Sequence, residues 1–169
     1  MNIKTLFKLN YGLYIVTSKF QDAFSGCIVN TVTQITAEDK PKLTVAINKE
    51  NYTCELVEKS KKINISILSQ EADMMLIGKF GFRTGKEFDK LQDTKYITGK
   101  NQIPIVTQYV LGYIEAKVID IIDCNTHNLF ILELEEAELL DEETLPMTYS
   151  YYHNVVKGKT PPKASTYVK

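Results

Sequence analysis

Two apolar stretches, YVLGYIEAKVIDII (109–122) and NLFILELEEAELL (128–140), decide the fold of this chain. Both are rich in residues that favour strands, and the five residues DCNTH (123–127) between them predict a hairpin. The second stretch ends in glutamates, an alanine and leucines, which by propensity would also suit a helix. The FIL run before them and the hairpin context favour a strand.

Similar patterns extend the β prediction towards the N-terminus. Strands are predicted at 11–17, 25–36, 42–48 and 63–68, and helices at 51–60, 71–79 and 147–156. The remaining segments are predicted as a loop at 18–25, a glycine-punctuated surface loop around a short helix at 80–92, and a polar, unpacked tail at 158–169. About six strands with few helices favour one mainly β domain over 1–169, built as a small closed barrel. The interior of such a barrel is filled with side chains, so a ligand would bind at an edge or a subunit interface.

Composition excludes several classes of protein. Lys and Arg number 20 against 21 Asp and Glu, and the net charge of -1 argues against a nucleic-acid binder. No apolar run approaches the roughly 18 residues of a membrane span, and the N-terminus does not suit a signal peptide, so a cytoplasmic protein is expected. The three cysteines, Cys27, Cys54 and Cys124, form no CxxC pair, which argues against a disulfide framework or a metal site. Neither glycine fingerprint for nucleotides is present, so a nucleotide cofactor would bind outside the Rossmann and P-loop modes.

Two neighbouring segments carry polar side chains that suit a ligand. The strand at 25–36 holds Asn30, Thr31, Thr33 and Gln34, although threonines also favour strands and line wet sheet faces. The junction 48–53 places Lys49, Tyr52 and Thr53 where a strand ends and a helix begins. The free N–H groups of a helix start can hold a phosphate. Plain capping by Asn51 and Thr53 is the alternative.

Two further candidates are less specific. The segment FGFRTGK (80–86), with Phe88 and Lys90 after it, mixes aromatic rings with cations and suits an anionic, partly aromatic ligand. It could equally be a solvated mobile loop. His127 in the hairpin is either exposed or a hydrogen-bond or proton donor to a ligand.

Taken in order, four segments resemble the flavin reductase-like family of FMN-binding split barrels. GCIVNTVTQIT (26–36) is similar to the family's flavin-contacting strand, and INKENYTCELVEKS (47–60) to its phosphate-binding junction. GKFGFRTGKEFDKL (78–91) is similar to its SGRDxDKF-type loop, and NTHNLFILELEEAELL (125–140) to its GxHxxFxGEV hairpin. Within the family, the likeness is to flavoredoxins and to the flavin domain of high-molecular-weight rubredoxins.

The resemblance implies a split β-barrel of Greek-key type with a few short helices, and FMN as the cofactor. It implies a flavin-ring subsite at Cys27, Asn30, Thr31, Val32, Thr33 and Gln34. It implies a phosphate subsite at Asn48, Lys49, Asn51, Tyr52 and Thr53, with added charge from Arg83 and Lys90. It assigns His127 to the nicotinamide or substrate side as the catalytic candidate.

Three functions follow from these observations. The first is an FMN-dependent oxidoreductase that takes a hydride from NAD(P)H and passes electrons to free flavin or a rubredoxin-like protein. The second is a flavoredoxin-like electron carrier without a direct NAD(P)H reaction, and the third is a flavin-free binding module. The family resemblance also implies a homodimer, in which Tyr149, Tyr151 and Tyr152 would pack either on the partner or in the core.

Overall fold

The computed structural model describes the backbone of residues 1–167 and their side chains except those of Lys4 and Phe7. Residues 1–167 contain nine strands: β1 Tyr14–Phe20, β2 Ala23–Val29, β3 Val32–Gln34, β4 Lys42–Asn48, β5 Lys62–Leu68, β6 Tyr96–Thr98, β7 Pro104–Val106, β8 Val110–Cys124 and β9 His127–Leu139. The helices are α1 Tyr52–Ser60, α2 Met74–Phe82 and α3 Tyr149–Asn154, preceded by a 3-10 helix at Ile3–Lys8. The mainly β prediction is therefore confirmed.

Seven strands form one curled antiparallel sheet in the order β2-β1-β5-β8-β9-β4-β3, and β6 and β7 form a separate ribbon. The outer strands β2 and β3 are consecutive in the chain, separated only by Asn30 and Thr31. At this bend the N–H of Ala46 in β4 donates to the carbonyl of Thr31 (3.4 Å), so one segment reaches both edges of the sheet. The predicted single strand 25–36 is therefore two strands, because it pairs first with β1 and then with β4.

The β8–β9 hairpin is the longest pairing in the sheet and confirms the strand prediction for both apolar stretches. Cys124 pairs with His127, so the turn is only Asn125 and Thr126, and Asn125 has a left-handed φ of 59°. The propensity of ELEEAELL for a helix is overridden because its residues up to Leu139 pair with β8.

The predicted loop at 18–25 is wrong over most of its length. Phe20 pairs with Ala23, which leaves Gln21 and Asp22 as a two-residue turn with φ 54° at Gln21. The 80–92 segment was also predicted as surface loop. Its first residues instead complete α2, which begins after the N-cap Asp73, and Phe80 is buried in the core.

The core has two parts. One fills the curl of the sheet under α1 and includes Val16, Val45, Ile65, Phe130 and Leu132. The other lies between α2, α3 and β1 and includes Ile15, Leu76, Phe80, Met147 and Tyr152. Tyr152 is therefore a core residue of its own chain, and Tyr149 and Tyr151 pack partly buried against the same part.

None of the helices in residues 1–167 combines the length and the apolar character needed to cross a bilayer.

Candidate functional site

A groove runs along the outside of the curled sheet where β2 bends, β4 ends and β9 begins. Its polar lining residues are Asn30 at the bend, Asn48 and His127 on paired strand ends, and Asn51 before α1. Strand alternation explains this set, because Val45 and Ile47 of β4 are buried while Ala46 and Asn48 face the groove. We call Asn30, Asn48, Asn51 and His127 the groove set. The structure thus brings together four residues from three separate sequence motifs, the strand at 25–36, the junction at 48–53 and the hairpin.

The opposite wall of the groove is apolar. Its residues come from the loop before β1, the end of β2 and the last turns of α2, and they are Leu13, Ile28, Val29, Ile77, Gly81 and Phe82. Gly81 and Phe82 of this wall belong to the predicted candidate segment 80–86, whereas Leu13, Ile28 and Ile77 are not predicted as ligand contacts, since apolar residues give no sequence signal beyond core packing. A planar ring with one apolar edge and one hydrogen-bonding edge matches such a two-sided lining.

The groove continues towards the start of α1 and the loop after α2. This part is lined by Asn51, Tyr52, Arg83 and Phe88, and by Glu50, Glu87 and Lys163, so two cations and two carboxylates border it. The Arg83 guanidinium lies 4.4 Å from the centre of the Phe88 ring, which holds the cation near the groove. The Asn51 side chain makes no capping hydrogen bond within the described chain, so the N–H groups of Tyr52 and Thr53 have no side-chain cap, whereas that of Cys54 donates to the Asn51 carbonyl (2.9 Å). These groups and Arg83 make this end suitable for an anion.

His127 carries the clearest unpaired polar atom of the groove. Its Nδ1 lies 2.9 Å from the Thr126 hydroxyl, while Nε2 is buried and has no hydrogen-bond partner in the described chain. Burial lowers the pKa of His127, and the Lys163 backbone beside it acts in the opposite direction. The imidazole is therefore neutral at pH 7, and the polar contacts of its ring in the described chain are the Thr126 hydroxyl and the Lys163 backbone of the C-terminal segment.

A second polar group lies beneath β2, on the core side. Thr53 and Ser25 join their hydroxyls at 3.0 Å, and Lys90 donates to the carbonyls of Gly26 (2.6 Å) and Phe80 (3.2 Å). Lys90 is 2% exposed. We call Ser25, Cys27, Thr53 and Lys90 the core cluster.

The pKa values in the core cluster reflect this burial. Desolvation lowers the pKa of Lys90 to about 8, and the nearby Cys27 opposes the shift. Burial raises the pKa of the Cys27 thiol, against the charge of Lys90 and a hydrogen bond from Thr53. Cys27, Thr53 and Lys90, which the family resemblance assigns to the cofactor, therefore have partners within the fold in this structure and are not among the residues that line the groove.

The other expected ligand contacts also lie outside the groove. Lys49 is on the surface and pairs with Asp123 at 2.7 Å. The Thr31 hydroxyl donates to the Ala46 carbonyl (3.4 Å), and Val32 packs against the core. Thr33 and Gln34 are exposed on the short strand β3. The side chains at 31–34 therefore lie at the edge of the sheet and do not line the groove.

The C-terminal segment forms an additional wall that the sequence analysis had predicted as an unpacked tail. We call residues 158–166 the strap. Its Pro161, Lys163, Ala164 and Ser165 complete the lining of the groove next to Asn30. Asn30 donates to the Thr166 hydroxyl (2.7 Å) and accepts from Ser165 (2.9 Å), so it is only 5% exposed. The polar composition of the strap predicts an unpacked tail, because its contacts with Asn30 are hydrogen bonds and leave no apolar pattern in the sequence.

Comparisons with known proteins place the chain among proteins of known fold. The family model described as flavin reductase like domain matches residues 6–158. The ferric-chelate reductase (NAD(P)H) of Archaeoglobus fulgidus is 44% identical over 168 residues, covering 99% of this chain and 98% of that protein. The high molecular weight rubredoxin of Moorella thermoacetica is 41% identical over 167 residues, covering 99% of this chain and 72% of that protein. A flavin reductase solved in complex with NADP+ has a TM-score of 0.74 at 24% identity, over 87% of this chain and 90% of that one, which confirms the predicted fold.

Proposed function

The chain belongs to the flavin reductase-like domain family and is an oxidoreductase of that family, and we propose that it uses FMN. In this proposal it takes a hydride from NAD(P)H and passes electrons onward to free flavin or to a redox protein. The names of two relatives support the donor and the class of acceptor, since one is a ferric-chelate reductase (NAD(P)H) and the other a high molecular weight rubredoxin.

The observation that carries the proposal is the two-sided groove. Amide and imidazole groups line one wall and apolar side chains the other, and the groove leads to the start of α1 beside Arg83. Isoalloxazine has an apolar benzenoid edge and a hydrogen-bonding pyrimidine edge, and FMN adds a single terminal phosphate. Asn30 and Asn48 would hold the ring edge, while Asn51, Tyr52 and Arg83 would hold the phosphate. The buried Nε2 of His127, which has no hydrogen-bond partner in the described chain, supports a polar contact with the ligand here.

Bound FMN supplies hydride acceptance from the nicotinamide and electron release. The chain contributes binding, orientation and a fixed electrostatic environment. Ile28 and Phe82 would exclude water from the ring face, and the amide of Asn30 would hold the pyrimidine edge in plane. His127, neutral at pH 7, would donate or accept one hydrogen bond at the substrate without delivering a charge. No residue of the groove set needs to transfer a proton for the hydride step.

The assembly and the compartment are also proposed. Met74, Met75 and Phe82 of α2 are exposed and line one surface recess, with Met75 81% exposed, and they offer an apolar surface for a homodimer. The three cysteines are free, which is consistent with a reducing cytoplasm. Introducing a charge at Met75 (Met75→Glu) should produce monomers in a light-scattering measurement if this surface forms the interface.

The test begins with an anaerobic absorbance spectrum of the protein after FMN is added and free flavin removed. Retained flavin bands that bleach on addition of NADH or NADPH are expected. Flavin that stays oxidised with both nicotinamides would favour the electron carrier, and failure to retain any flavin would overturn the proposal.

The phosphate subsite has its own control. Arg83→Met should weaken FMN about tenfold while leaving riboflavin within about twofold, because only FMN carries the anion. Lys19→Met removes a cation of the exposed end of β1 and should change neither ligand. Equal losses of FMN and riboflavin in Arg83→Met would remove Arg83 from the phosphate subsite.

A further inference from the structure

The strap leaves α3 through a set of fixed contacts. Gly158 lies so close to Tyr152 that a Cβ at this position would overlap the tyrosine ring. Its N–H donates to the Tyr152 carbonyl (2.9 Å), and the Tyr152 hydroxyl donates to the Lys159 carbonyl (3.0 Å). His153 Nδ1 lies 2.9 Å from the Gly158 carbonyl. The first residues of the strap are therefore held in one direction, towards the groove.

The middle and the end of the strap are fastened by hydroxyl groups. The Thr160 hydroxyl lies 2.6 Å from that of Tyr149, and the Thr166 hydroxyl donates to the same tyrosine oxygen (2.9 Å). Between them, Lys163 donates to the backbone carbonyl of Glu50 (3.1 Å) just before α1. Thr160 and Thr166 thus both contact Tyr149, and the residues between them cross the groove.

The closed strap leaves almost no room for a ligand. The enclosed space in this part of the groove is about 30 Å³, enough for roughly two water molecules. Pockets for small-molecule ligands typically span about 300–1,000 Å³. In addition, the two amide atoms of Asn30 are both bonded to the strap, through Ser165 and Thr166. The strap therefore takes up both the space and the hydrogen bonds that the flavin ring would need.

We propose that the strap is a gate whose closed position and flavin binding exclude each other. The inference rests on the proposed function, since it assigns the groove to the flavin ring. Opening is favoured by the character of the contacts, because hydroxyls and backbone groups that leave the groove regain water. The apparent dissociation constant for FMN then equals the intrinsic constant divided by the fraction of open molecules.

The first experiment compares FMN binding by the full chain and by a variant that ends at Lys157. Quenching of flavin fluorescence in stopped flow gives the association rate and the dissociation constant without any turnover. The truncated variant should bind FMN at least tenfold faster and tighter, because every molecule is open. Circular dichroism and a urea titration verify that it is folded.

A second variant keeps the whole chain. Thr160→Val with Thr166→Val removes the hydroxyls that fasten the strap while preserving its shape. Each lost hydrogen bond should raise the open fraction about fivefold, and the FMN association rate should rise with it. Lys159→Ala is the matched control, since only its backbone carbonyl fastens the strap; it should behave like the full chain.

The outcomes separate the gate from the proposed function. Equal FMN constants for all variants would overturn the gate and leave the proposed function in place. Weaker binding by the truncated and double-valine variants would also overturn it, since the strap would then be a wall that holds the ligand. Failure of every variant to bind FMN or riboflavin would overturn the proposed function, and the gate would fall with it.

Discussion

The core cluster and the groove set draw three of their four residues each from the same two short segments, but those residues lie on different sides of the sheet. Residues 25–30 and 48–53 supply Ser25, Cys27 and Thr53 to the core, and Asn30, Asn48 and Asn51 to the groove. In the core cluster every side-chain oxygen and the ammonium of Lys90 find protein partners. In the groove set, His127 Nε2 has no partner in the described chain, and Asn30 is satisfied only by the strap.

Polar residues that are neighbours in the sequence can therefore have different roles, one in the groove and one in the core. Tyr52 and Thr53 are adjacent, yet Tyr52 lines the groove and Thr53 is buried against Ser25. A motif therefore marks a region, and the direction of each side chain decides which of its polar groups remain for a ligand. Polar groups bonded within the fold stabilise it, whereas groups left open or held by a removable segment are available for binding.

The largest effect that should separate the two groups is the pH dependence of stability from Lys90. Its pKa is lowered to about 8 in the folded chain, so between that value and the ordinary pKa near 10.4 the unfolded state binds more protons. The free energy of unfolding should therefore rise by about 2 kcal/mol from pH 8 to pH 10, relative to Lys90→Met. Urea titrations of both proteins across this range measure the difference. Lys86→Met, which removes an exposed ammonium, is the control, and parallel curves for wild type and Lys90→Met would contradict the burial argument.

The next effect is at Thr53. Thr53→Val leaves the buried Ser25 hydroxyl without its partner and should lower the free energy of unfolding by about 1–3 kcal/mol. The ratio of the FMN and riboflavin dissociation constants should stay the same. Adding Ser25→Ala should recover part of the stability, because no unsatisfied hydroxyl then remains. A selective loss of FMN binding would return Thr53 to the phosphate subsite.

A smaller effect is expected at His127, in the groove set. His127→Gln should raise the KM for NADH or NADPH about tenfold, roughly 1.4 kcal/mol of binding free energy, while the urea midpoint stays within error. Thr126→Ala, which frees Nδ1 of the ring, should have a weaker effect of the same direction. An unchanged kcat/KM in His127→Gln would show that the Nε2 atom does not meet the substrate.

The smallest effect is expected at Lys49. Its ammonium forms a surface ion pair with Asp123, and such pairs contribute little. Lys49→Met should change FMN affinity less than threefold and stability by less than about 0.5 kcal/mol. Titration with FMN and with riboflavin measures this directly. A tenfold loss specific to FMN would move Lys49 into the groove set.

Much of the fold could be predicted from periodicity. β4 is observed at its predicted bounds, and β5, α1 and the β8–β9 hairpin lie within a few residues of theirs, since each is a local pattern with its own start and stop signals. The bend at Asn30, the buried position of Lys90 and the ribbon β6–β7 depend on partners far away in the chain, which a local pattern does not contain. Family likeness was enough to locate the residues of the groove set. The strap could not be located in this way, because its contacts with Asn30 join residues about 135 positions apart in the chain.

The bend at Asn30 and Thr31 also bears on how the protein behaves when crowded with its own copies. An open sheet ends in two unpaired strands, and each can recruit another chain by strand pairing. Here both terminal strands belong to one continuous segment, and the outermost, β3, is only three residues long. Next to the bend, Thr31 exchanges hydrogen bonds with Ala46 and covers the place where the two edges meet. The same turn of the chain that shapes the groove therefore protects the sheet against edge-to-edge aggregation.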